Sequence, residues 1–414
     1  METLKLGFIG AGFIAKFQAL AITQLNNAEI AGVYSLEGSE EFRKYVHKQG
    51  AGECAVHNSI RDLCNNCDAV AIYAPNYARI EIMEEIVDAV KAGAVLKGVI
   101  CEKPLARTVA EARRLVDLAN EVNLNTSYHE NQIHMKSINN ALRQLEPEQR
   151  TMGPLILARS SEEHSGPHEP WFWDPTRQGG GVLADMGCHS IAVSWYVLTP
   201  VGKPVTFLEP VSASCDISLL KWGQPAFQKK LKDIHGVDYS KVPAEDFCTG
   251  IITFRNPDTG QLVKGQFSNS WMYDKQGLRL LMEGLGPGYT FEVNSLRSSL
   301  EVFIADEAAE SVADAESALE KATATRGLMA VQSNETDLYG YVDETRDTAN
   351  AFLNNKKALL DWNYGLEITK LVQAGYMAAE KKKTIDLTDP QIQKELEGFQ
   401  SLIAQGRGGE ILFS

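Results

Sequence analysis

The sequence predicts an α/β protein: a doubly wound parallel sheet, followed by an α+β domain with a large, mostly antiparallel open sheet. Two patterns carry this prediction. Short apolar runs alternate with amphipathic stretches up to about residue 125, and strand-like runs separated by turn signals dominate after about residue 130. A chain of 414 residues also exceeds the size at which single cores stop growing. We therefore expect two domains, residues 1–125 and 126–414.

In the N-terminal part, strands and helices are expected in strict alternation. The strands are predicted at 5–9, 29–34, 68–74, 95–101 and near 125–129, and the helices at 13–25, 39–49, 79–92 and 108–122. Thr108 followed by Glu111 is a capping box, which places the start of the last helix. Because a helix separates each strand from the next, the strands are expected to run parallel.

After about residue 130 the pattern changes. Strands are predicted at 154–160, 205–219, 247–254, 262–272, 278–284 and 288–304. Turn signals such as Asn256-Pro257-Asp258 separate these runs and favour an antiparallel sheet. One helix is expected from Asp185 to Leu198, and two more around 343–354 and 363–382. The acidic, Ala-rich stretch 305–325 is predicted to be a surface helix or loop without an assigned role.

Charge and composition exclude several classes of protein. A net charge of −14 repels a phosphate backbone, so no nucleic-acid partner is expected. No apolar run reaches the roughly 18 residues that a membrane span requires. Glu2 and Lys5 lead directly into the first strand, so no signal peptide is predicted. Seven cysteines do not suit a disulfide framework, and we expect a cytoplasmic protein without a membrane segment.

The segment Gly10-Ala11-Gly12-Phe13-Ile14-Ala15 joins the first predicted strand to the first helix. Gly10 permits a tight turn, and Gly12 allows the backbone to approach a pyrophosphate closely. The amides of Phe13 and Ile14 open the helix, where its dipole favours negative charge. This pattern predicts dinucleotide binding, with an ordinary strand-turn-helix as the alternative.

The end of the second strand bears on the choice of dinucleotide. Ser35 stands where an NAD-specific fingerprint places Asp or Glu against the ribose 2′-hydroxyl. Leu36 follows instead of an arginine that would favour a 2′-phosphate, and the charge of Glu37 would repel one. We expect NAD, and NADP stays open.

Two further clusters carry groups suited to proton transfer. Lys103 follows the strand at 95–101, at the edge where α/β sheets bind ligands, and Pro104 favours an extended backbone before it. Asp185 and His189 lie four residues apart behind three glycines at 179–181, hence on one predicted helix face. A carboxylate there can orient the imidazole and stabilise its protonated form. The alternatives are a structural ion pair for Lys103 and a buried acid–imidazole pair.

In this order along the chain, the motifs resemble those of the Gfo/Idh/MocA family of glucose-fructose oxidoreductase and inositol dehydrogenase type. The resemblance covers nearly the whole chain and rests on residues 10–15, Ala74-Pro75-Asn76, Glu102-Lys103-Pro104 and 179–189. It implies a Rossmann domain and a C-terminal domain whose open sheet forms a homodimer or homotetramer. It also implies nicotinamide-dependent conversion between a secondary hydroxyl and a ketone on a sugar, glycoside or cyclitol.

The resemblance also assigns roles to residues. It makes Lys103 and His189 the catalytic pair, supported by Asp185. The residues it adds to the cofactor site are Ala74, Pro75, Asn76 and Glu102, with Lys103. Arg79 stands where family members commonly have a histidine, so a contact made there is lost or replaced. Two rivals are an enzyme that uses a tightly bound NAD for transient oxidation during elimination or glycoside cleavage, and a nucleotide-sensing regulator.

Three polar residues follow the strand predicted near 125–129. Because His129, Glu130 and Asn131 stand at a carboxyl end, we expect them to face the nicotinamide and the substrate. A polar linker between domains is the alternative.

The segment 162–174 is too rich in Pro and Gly for a regular element and too aromatic for a solvated loop. Four of its side chains offer polar and aromatic contacts to a polyol substrate: His164, His168, Trp171 and Trp173. One alternative is an aromatic lid that packs without touching the substrate. A metal site built from His164, His168 and His189 is another, but nothing in the sequence defines its geometry and no metal is expected.

Overall fold

The computed structural model describes residues 2–275, 277–297, 301–304, 327–330 and 334–413. The described strands are β1 (Leu4–Ile9), β2 (Ala28–Tyr34), β3 (Ala55–Val56), β4 (Ala69–Ile72), β5 (Gly98–Glu102), β6 (Asn125–His129), β7 (Leu157–Glu163), β8 (Glu209–Ser218), β9 (Phe247–Arg255), β10 (Leu262–Ser270), β11 (Arg279–Gly286), β12 (Tyr289–Asn294), β13 (Glu301–Ile304), β14 (Gly327–Ala330) and β15 (Ile385–Asp386). The stretch 305–325, predicted to be a surface helix or loop, lies outside the described residues.

The described α-helices are α1 (Phe13–Ile22), α2 (Ser39–Gln49), α3 (Ile60–Asn66), α4 (Arg79–Lys91), α5 (Val109–Glu121), α6 (Lys136–Gln144), α7 (Glu146–Met152), α8 (Pro170–Trp173), α9 (Pro175–Gln178), α10 (Cys188–Leu198), α11 (Pro225–His235), α12 (Glu335–Leu338), α13 (Tyr341–Leu353), α14 (Trp362–Lys381), α15 (Pro390–Glu397) and α16 (Gly409–Leu412). A π-helical turn, Leu183–Gly187, leads into α10, and 3₁₀ turns span Asn76–Ala78 and Asn131–His134. None of these helices combines the length and apolarity that crossing a membrane requires.

By packing, the chain divides into two compact units. The first contains Met1–Lys136 and Thr336–Lys370, and the second contains Ser137–Glu335 and Leu371–Ser414. The domain boundary expected between residues 125 and 126 stays a prediction.

The described strands of the first unit form a six-stranded sheet in the order β3-β2-β1-β4-β5-β6, and all neighbours are parallel. Every residue of β4 and β5 is buried, because helices cover both faces of such a sheet. The strand order reverses between β1 and β4, which is where open α/β sheets bind ligands. The predicted doubly wound parallel sheet is confirmed.

The first unit includes a helix from late in the chain. α13 packs against α1, and its Phe352 lies against β5. A Cβ on Gly98 would come within 2.5 Å of the Phe352 ring, so the glycine makes room for the aromatic side chain. Phe352 is 1% exposed and belongs to the same core as Phe8 and Ile100. The C-terminal part of the chain therefore completes the core of the first unit.

In the part of the second unit that the structure describes, a seven-stranded sheet has the order β12-β11-β7-β10-β9-β8-β15. β7 and β10 pair in parallel, and every other neighbouring pair is antiparallel. α10 lies against β7 and β10 and is buried along almost its whole length. This confirms the prediction of a large, mostly antiparallel sheet.

Several predicted elements are corrected. Residues 162–163, expected in an irregular segment, end β7, and α8 follows within that segment. The helix expected from Asp185 begins two residues earlier as a π-helical turn. The strand expected at 288–304 is interrupted between β12 and β13. β3 and α3 escaped the sequence patterns because each is too short to show a clear period.

We expect Phe352→Ala to destabilise the first unit by about 3–5 kcal/mol, the usual cost of removing a fully buried aromatic side chain. Urea unfolding followed by circular dichroism measures this loss. Leu353→Ala, at a partly buried neighbouring position, is the matched control and should cost clearly less. Equal and small losses in both variants would contradict the role given to α13.

Candidate active site

The turn between β1 and α1 has the geometry that a dinucleotide phosphate requires. Gly10 has a φ of 112°, and its amide donates to the Tyr34 carbonyl at 2.9 Å. A Cβ on Gly10 would lie 2.8 Å from the backbone of Tyr73, whereas a Cβ on Gly12 would meet nothing within 4 Å. The space in front of Gly12 is therefore open to a ligand.

The N-terminus of α1 suits an anion. The helix begins at Phe13, its N-cap Gly12 offers no capping side chain, and its first turn contains no acidic residue. The aligned peptide dipoles and first amides of a helix attract negative charge. Gly10, Gly12, Phe13 and Ile14 thus fit a bound pyrophosphate.

The other predicted cofactor residues follow neighbouring strands of the same sheet. Ser35 comes directly after β2 and is partly exposed, while Glu37 is exposed. The hydroxyl of Ser39 donates to the Ser35 carbonyl at 3.3 Å, which ties α2 to this loop. The residues after β4 are Tyr73, Ala74, Pro75 and Asn76, of which the first and the last are buried. Because the carboxyl ends of parallel strands meet at one edge, these loops share that edge with Gly12.

Arg79 is buried and holds the backbone on both sides of Lys103. Its guanidinium donates to the Glu102 carbonyl at 2.6 Å and to the Leu105 carbonyl at 3.3 Å. It also donates to the carbonyl of Pro104, whose peptide bond with Lys103 is cis. All three bonds come from Nη1, whose two hydrogens the carbonyls share, and they hold the chain in place where it leaves β5. Where family members commonly have a histidine, this chain therefore has an arginine that clamps the backbone.

A buried polar network lies at the end of β5. Gln18 Nε2 is 3.2 Å from both Glu102 Oε1 and His129 Nδ1. Glu344 Oε2 lies 3.1 Å from the same nitrogen. Burial raises the pKa of Glu102 to about 7 and lowers that of His129 to about 3. We refer to these four side chains as the Gln18 network.

Two members of the Gln18 network are absent from the predicted site. Gln18 stands on the buried face of α1 with Ala15 and Ile22. A polar residue within an apolar stripe is the signal that would have found it. Glu344 is 326 positions away from Gln18, and no local pattern links the two residues.

The three polar residues predicted to face the substrate are buried in the first unit. His129 belongs to the Gln18 network, and Asn131 Nδ2 donates to the Tyr339 carbonyl at 2.7 Å. Burial raises the pKa of Glu130 to about 8, although the charge of Lys103 opposes this. Their contact with a substrate stays a prediction.

In the second unit, the glycine-rich segment before α10 is held by Glu245. Its Oε1 accepts from the amides of Gly181 and Leu183, both at 3.0 Å, and from the Tyr376 hydroxyl at 2.6 Å. A Cβ on Gly180 would lie 2.0 Å from the Tyr376 oxygen. The glycines therefore permit a close approach that anchors the start of the π-helical turn. Burial raises the pKa of Glu245 to about 7.

Asp185 and His189 are both buried on this helical segment. The indole N–H of Trp271 donates to Asp185 Oδ2 at 3.2 Å. His189 Nε2 lies 3.9 Å from Glu162 Oε2, a second carboxylate that was not among the predicted site residues. Asn269 Nδ2 donates to the Glu162 carbonyl at 3.3 Å and helps hold this strand end. Glu162 is thus a carboxylate beside His189 that the sequence analysis did not predict.

The four predicted polyol-contacting residues divide by burial. Trp173 is 1% exposed and packs on Trp222 and Trp271, with ring centroids 4.6 and 5.1 Å apart. This position matches the packing alternative. His164 is buried and its Nδ1 accepts from an amide at 3.0 Å, whereas His168 is exposed and Trp171 partly so.

The alternative metal site is not assembled. In the part of the chain that the structure describes, His164, His168 and His189 belong to no group of three close potential ligands. The group that does qualify there is Glu102, His129 and Glu344, whose donor atoms lie within 4.8 Å of one another.

Comparison with known families gives two matches. The family described as oxidoreductase family, NAD-binding Rossmann fold (GFO/IDH/MocA) matches residues 4–129, and the GFO/IDH/MocA C-terminal domain matches residues 147–286. A 1,5-anhydro-D-fructose reductase of Ensifer adhaerens is 28% identical over 195 residues, covering 46% of this chain and 56% of the relative. A glucose-6-phosphate 3-dehydrogenase of Bacillus subtilis is 26% identical over 197 residues, covering 47% and 53%. The chain spans about half the length of these curated relatives.

Solved structures share the fold. GenD2 from gentamicin A biosynthesis, in complex with NAD, gives a TM-score of 0.71 at 17% identity, covering 94% of this chain and 97% of that one. A putative myo-inositol dehydrogenase from Sinorhizobium meliloti gives 0.67 at 19% identity, covering 93% and 100%. At these identities the likeness establishes the fold.

We predict that Glu245→Gln becomes more stable relative to wild type as pH rises from 5 to 8. The folded-state pKa of Glu245 is raised, so its contribution is fully present below the usual carboxyl pKa and is lost as pH rises through about 7. Glutamine keeps an oxygen for the same donors and never ionises. The relative gain should approach about 3 kcal/mol.

Urea unfolding at pH 5, 6, 7 and 8 measures this difference. Glu209→Gln removes an exposed carboxyl and should show no comparable trend. A difference between wild type and Glu245→Gln that stays constant over this range would contradict the prediction.

Proposed function

Because this chain belongs to the GFO/IDH/MocA oxidoreductase family, we propose that it is a nicotinamide-dependent dehydrogenase. It would oxidise a secondary hydroxyl group of a sugar, glycoside or cyclitol, or reduce the corresponding ketone. The open space at Gly12, before the N-terminus of α1, is the observation that carries the proposal. The curated relatives are named as a reductase and dehydrogenases of sugars, which supports this substrate class and does not favour the two rival functions.

The cofactor we propose is NAD. Gly10, Gly12, Phe13 and Ile14 would hold the pyrophosphate, and the segment 74–76 with Glu102 and Lys103 would lie at the nicotinamide end. Two observations support NAD over NADP. The partly exposed Ser35 can bond a ribose hydroxyl, and the exposed Glu37 adds a negative charge that disfavours a 2′-phosphate.

His189 is the proposed general base. Its imidazole would accept the proton of the substrate hydroxyl in oxidation and return it in reduction. The carboxylates of Asp185 and Glu162 would stabilise the imidazolium, and the 3.9 Å between Glu162 and His189 Nε2 supports this role. When bound, the nicotinamide supplies a hydride acceptor for the substrate carbon.

Lys103 is the proposed electrophilic partner. Its ammonium would donate a charge-assisted hydrogen bond to the substrate oxygen and stabilise negative charge there as the proton leaves. Arg79 bonds to the carbonyls of Glu102, Pro104 and Leu105. These bonds hold the backbone from which the Lys103 side chain extends, and this supports the proposed role. Burial of the Arg79 guanidinium limits the motion of that clamp.

For substrate contacts, we propose that His168 and Trp171 meet the polyol, since both have exposed surface. His164, His129, Glu130 and Asn131 would shape the site from buried positions. We also propose that the protein acts in the cytoplasm and has no nucleic-acid partner. It forms a homodimer or homotetramer through the open sheet of the second unit.

We expect Lys103→Ala and His189→Ala each to lower kcat by about 100-fold or more, because each removes a positioned group that handles the reacting proton or oxygen. The assay is spectrophotometric reduction of NAD and NADP with a panel of monosaccharides, glycosides and inositols. Nucleotide affinity, measured by fluorescence titration with NADH, should hardly change.

Lys48→Ala and His47→Ala, at exposed positions of α2, are the matched controls and should retain wild-type turnover. Near wild-type kcat in either catalytic variant would disprove its assigned role. Failure of every substrate on the panel, despite nucleotide binding, would count against the substrate class.

We predict that Ser35→Asp increases the preference for NAD over NADP, by roughly 10-fold or more. The carboxylate adds an acceptor for the 2′-hydroxyl and repels a 2′-phosphate. The ratio of kcat/KM for the two nucleotides measures the change, with Gln49→Glu, at the far end of α2, as the control. An unchanged ratio would show that Ser35 does not lie at the ribose.

A further inference from the structure

The Gln18 network has more acceptors than hydrogens. An amide nitrogen carries two hydrogens, yet Gln18 Nε2 lies within 3.2 Å of atoms of Glu102, His129 and Glu344. The Thr345 hydroxyl donates to Gln18 Oε1 at 2.9 Å, and the amide nitrogen faces the two carboxyl groups and the imidazole. Its two hydrogens serve two of these three neighbours, so the third contact involves a further proton, either on His129 Nδ1 or on a carboxyl group.

The tautomer of His129 narrows the position of that proton. Thr348 Oγ1 donates to the Glu344 carbonyl at 3.1 Å, and it lies 3.4 Å from His129 Nε2. Ser127 Oγ lies 2.7 Å from Thr348 Oγ1, so with Ser127 donating to Thr348 the imidazole Nε2 carries the hydrogen of its contact, and Nδ1 is an acceptor 3.3 Å from Glu344 Oε2. In this tautomer the additional proton belongs on Glu344. The other tautomer, with the hydrogen on Nδ1, would leave Glu344 charged, and the surroundings of the second Glu344 oxygen distinguish the two.

The second oxygen of Glu344 agrees with this assignment. Among the described residues, Glu344 Oε1 is buried and has no hydrogen-bond partner. A carboxylate in that position would leave a charged oxygen unpaired, which costs far more than an unpaired neutral one. Burial, followed by the charge of Glu102, raises the pKa of Glu344 well above its ordinary value.

The surrounding charges act differently on Glu102 and Glu344. The titratable and charged groups that face it are Tyr73 after β4, Arg79 on α4, Lys103 after β5, Glu130 after β6, and Asp347 on α13. The two cations act on Glu102, whereas Glu130 and Asp347 act on Glu344. Glu102 is therefore the group that ionises first, and Glu344 keeps its proton.

Glu102 connects the network to Lys103. Its Oε2 accepts from the Lys103 amide at 3.2 Å, and its charge interacts with the Lys103 ammonium. We propose that Glu344 is held as a neutral acid so that Glu102 alone carries the negative charge that keeps Lys103 protonated. Glu102 and Glu344 are thus positioning residues for Lys103. This inference rests on the proposed catalytic role of Lys103.

A divalent cation bound by Glu102, His129 and Glu344 is the competing arrangement. Gln18 Nε2 lies among their donor atoms, at distances of 3.1–3.2 Å, where such an ion would have to sit. The structure therefore favours a proton.

The test compares Glu102→Gln and Glu344→Gln by acetylation of the full chain with trace acetic anhydride. Mass spectrometry of the peptide containing Lys103 gives the pH midpoint of its labelling, with no substrate required. Glu102→Gln should lower this midpoint by roughly half a pH unit or more, because it removes the adjacent anion. Glu344→Gln should leave the midpoint within about 0.2 pH unit of wild type, since one neutral group replaces another.

Asp343→Asn, which removes a partly exposed neighbouring carboxyl paired with Arg346, is the matched control and should not shift the midpoint. An equal fall of the midpoint in Glu344→Gln and Glu102→Gln would show that Glu344 is charged. No fall in Glu102→Gln would overturn the link to Lys103. If elemental analysis finds about one metal ion per chain in the wild type and none in Glu344→Gln, the network binds a cation and the proposal is wrong.

Infrared spectroscopy examines the proton in the native protein. Wild type minus Glu344→Gln at pH 7 should contain the carbonyl stretch of one protonated carboxyl group, and its absence would overturn the proposal. If Glu344→Gln fails to fold, the wild-type infrared spectrum at pH 9, above the pKa of Glu102 and of Glu130, should still contain the carbonyl stretch of a protonated carboxyl group, and its absence would overturn the proposal. Because labelling needs no turnover, a protein inactive on every substrate can still show the expected shift, which separates failure of this inference from failure of the proposed function.

Discussion

Burial of the Glu102 carboxyl group at the end of β5 is the constraint on which the chemistry of the first unit depends. A carboxylate in an apolar interior must be paired, hydrogen-bonded or protonated. Glu102 obtains a hydrogen bond from Gln18 on α1 and another from the amide of Lys103. Both α1 and Lys103 are therefore connected to one buried acid. The helix that carries Glu344 must return from late in the chain to complete the same network.

The second unit also contains a buried carboxyl group, which is stabilised mainly by backbone donors. Glu245 is also fully buried, but its partners are two amides at the start of the π-helical turn and the hydroxyl of Tyr376. Among the described residues, burial raises the pKa of Glu245 and only hydrogen bonds from Tyr376 and backbone amides lower it. Glu245 is thus an anchor for the segment that bears Asp185 and His189. Its protonation state matters for stability, whereas that of Glu102 bears on the neighbouring ammonium.

Local signals predicted some of the elements that carry the candidate site residues. The glycine spacing at residues 10–12 predicted the turn before α1, and the Thr108 capping box predicted the start of α5, where the Thr108 side chain accepts from the Glu111 amide. Partners distant in the chain were not predictable: Glu344 reaches Gln18 only because α13 packs on α1. The sequence analysis missed Glu162 for a different reason. Its strand β7 ends inside a segment whose Pro and Gly content suggested irregular structure.

Trp173 shows why residue type alone does not separate packing from recognition. An indole beside two histidines suits a polyol, yet this ring packs on Trp222 and Trp271. The indole N–H of Trp271 in turn donates to Asp185, so the aromatic cluster is linked to this carboxylate by a hydrogen bond. Trp173 contacts Trp271 directly, so removing the Trp173 ring would let Trp271 shift and would move its hydrogen bond to Asp185. If Asp185 has the role proposed above, the displaced carboxylate would lower the rate of the reaction step more than it weakens substrate binding.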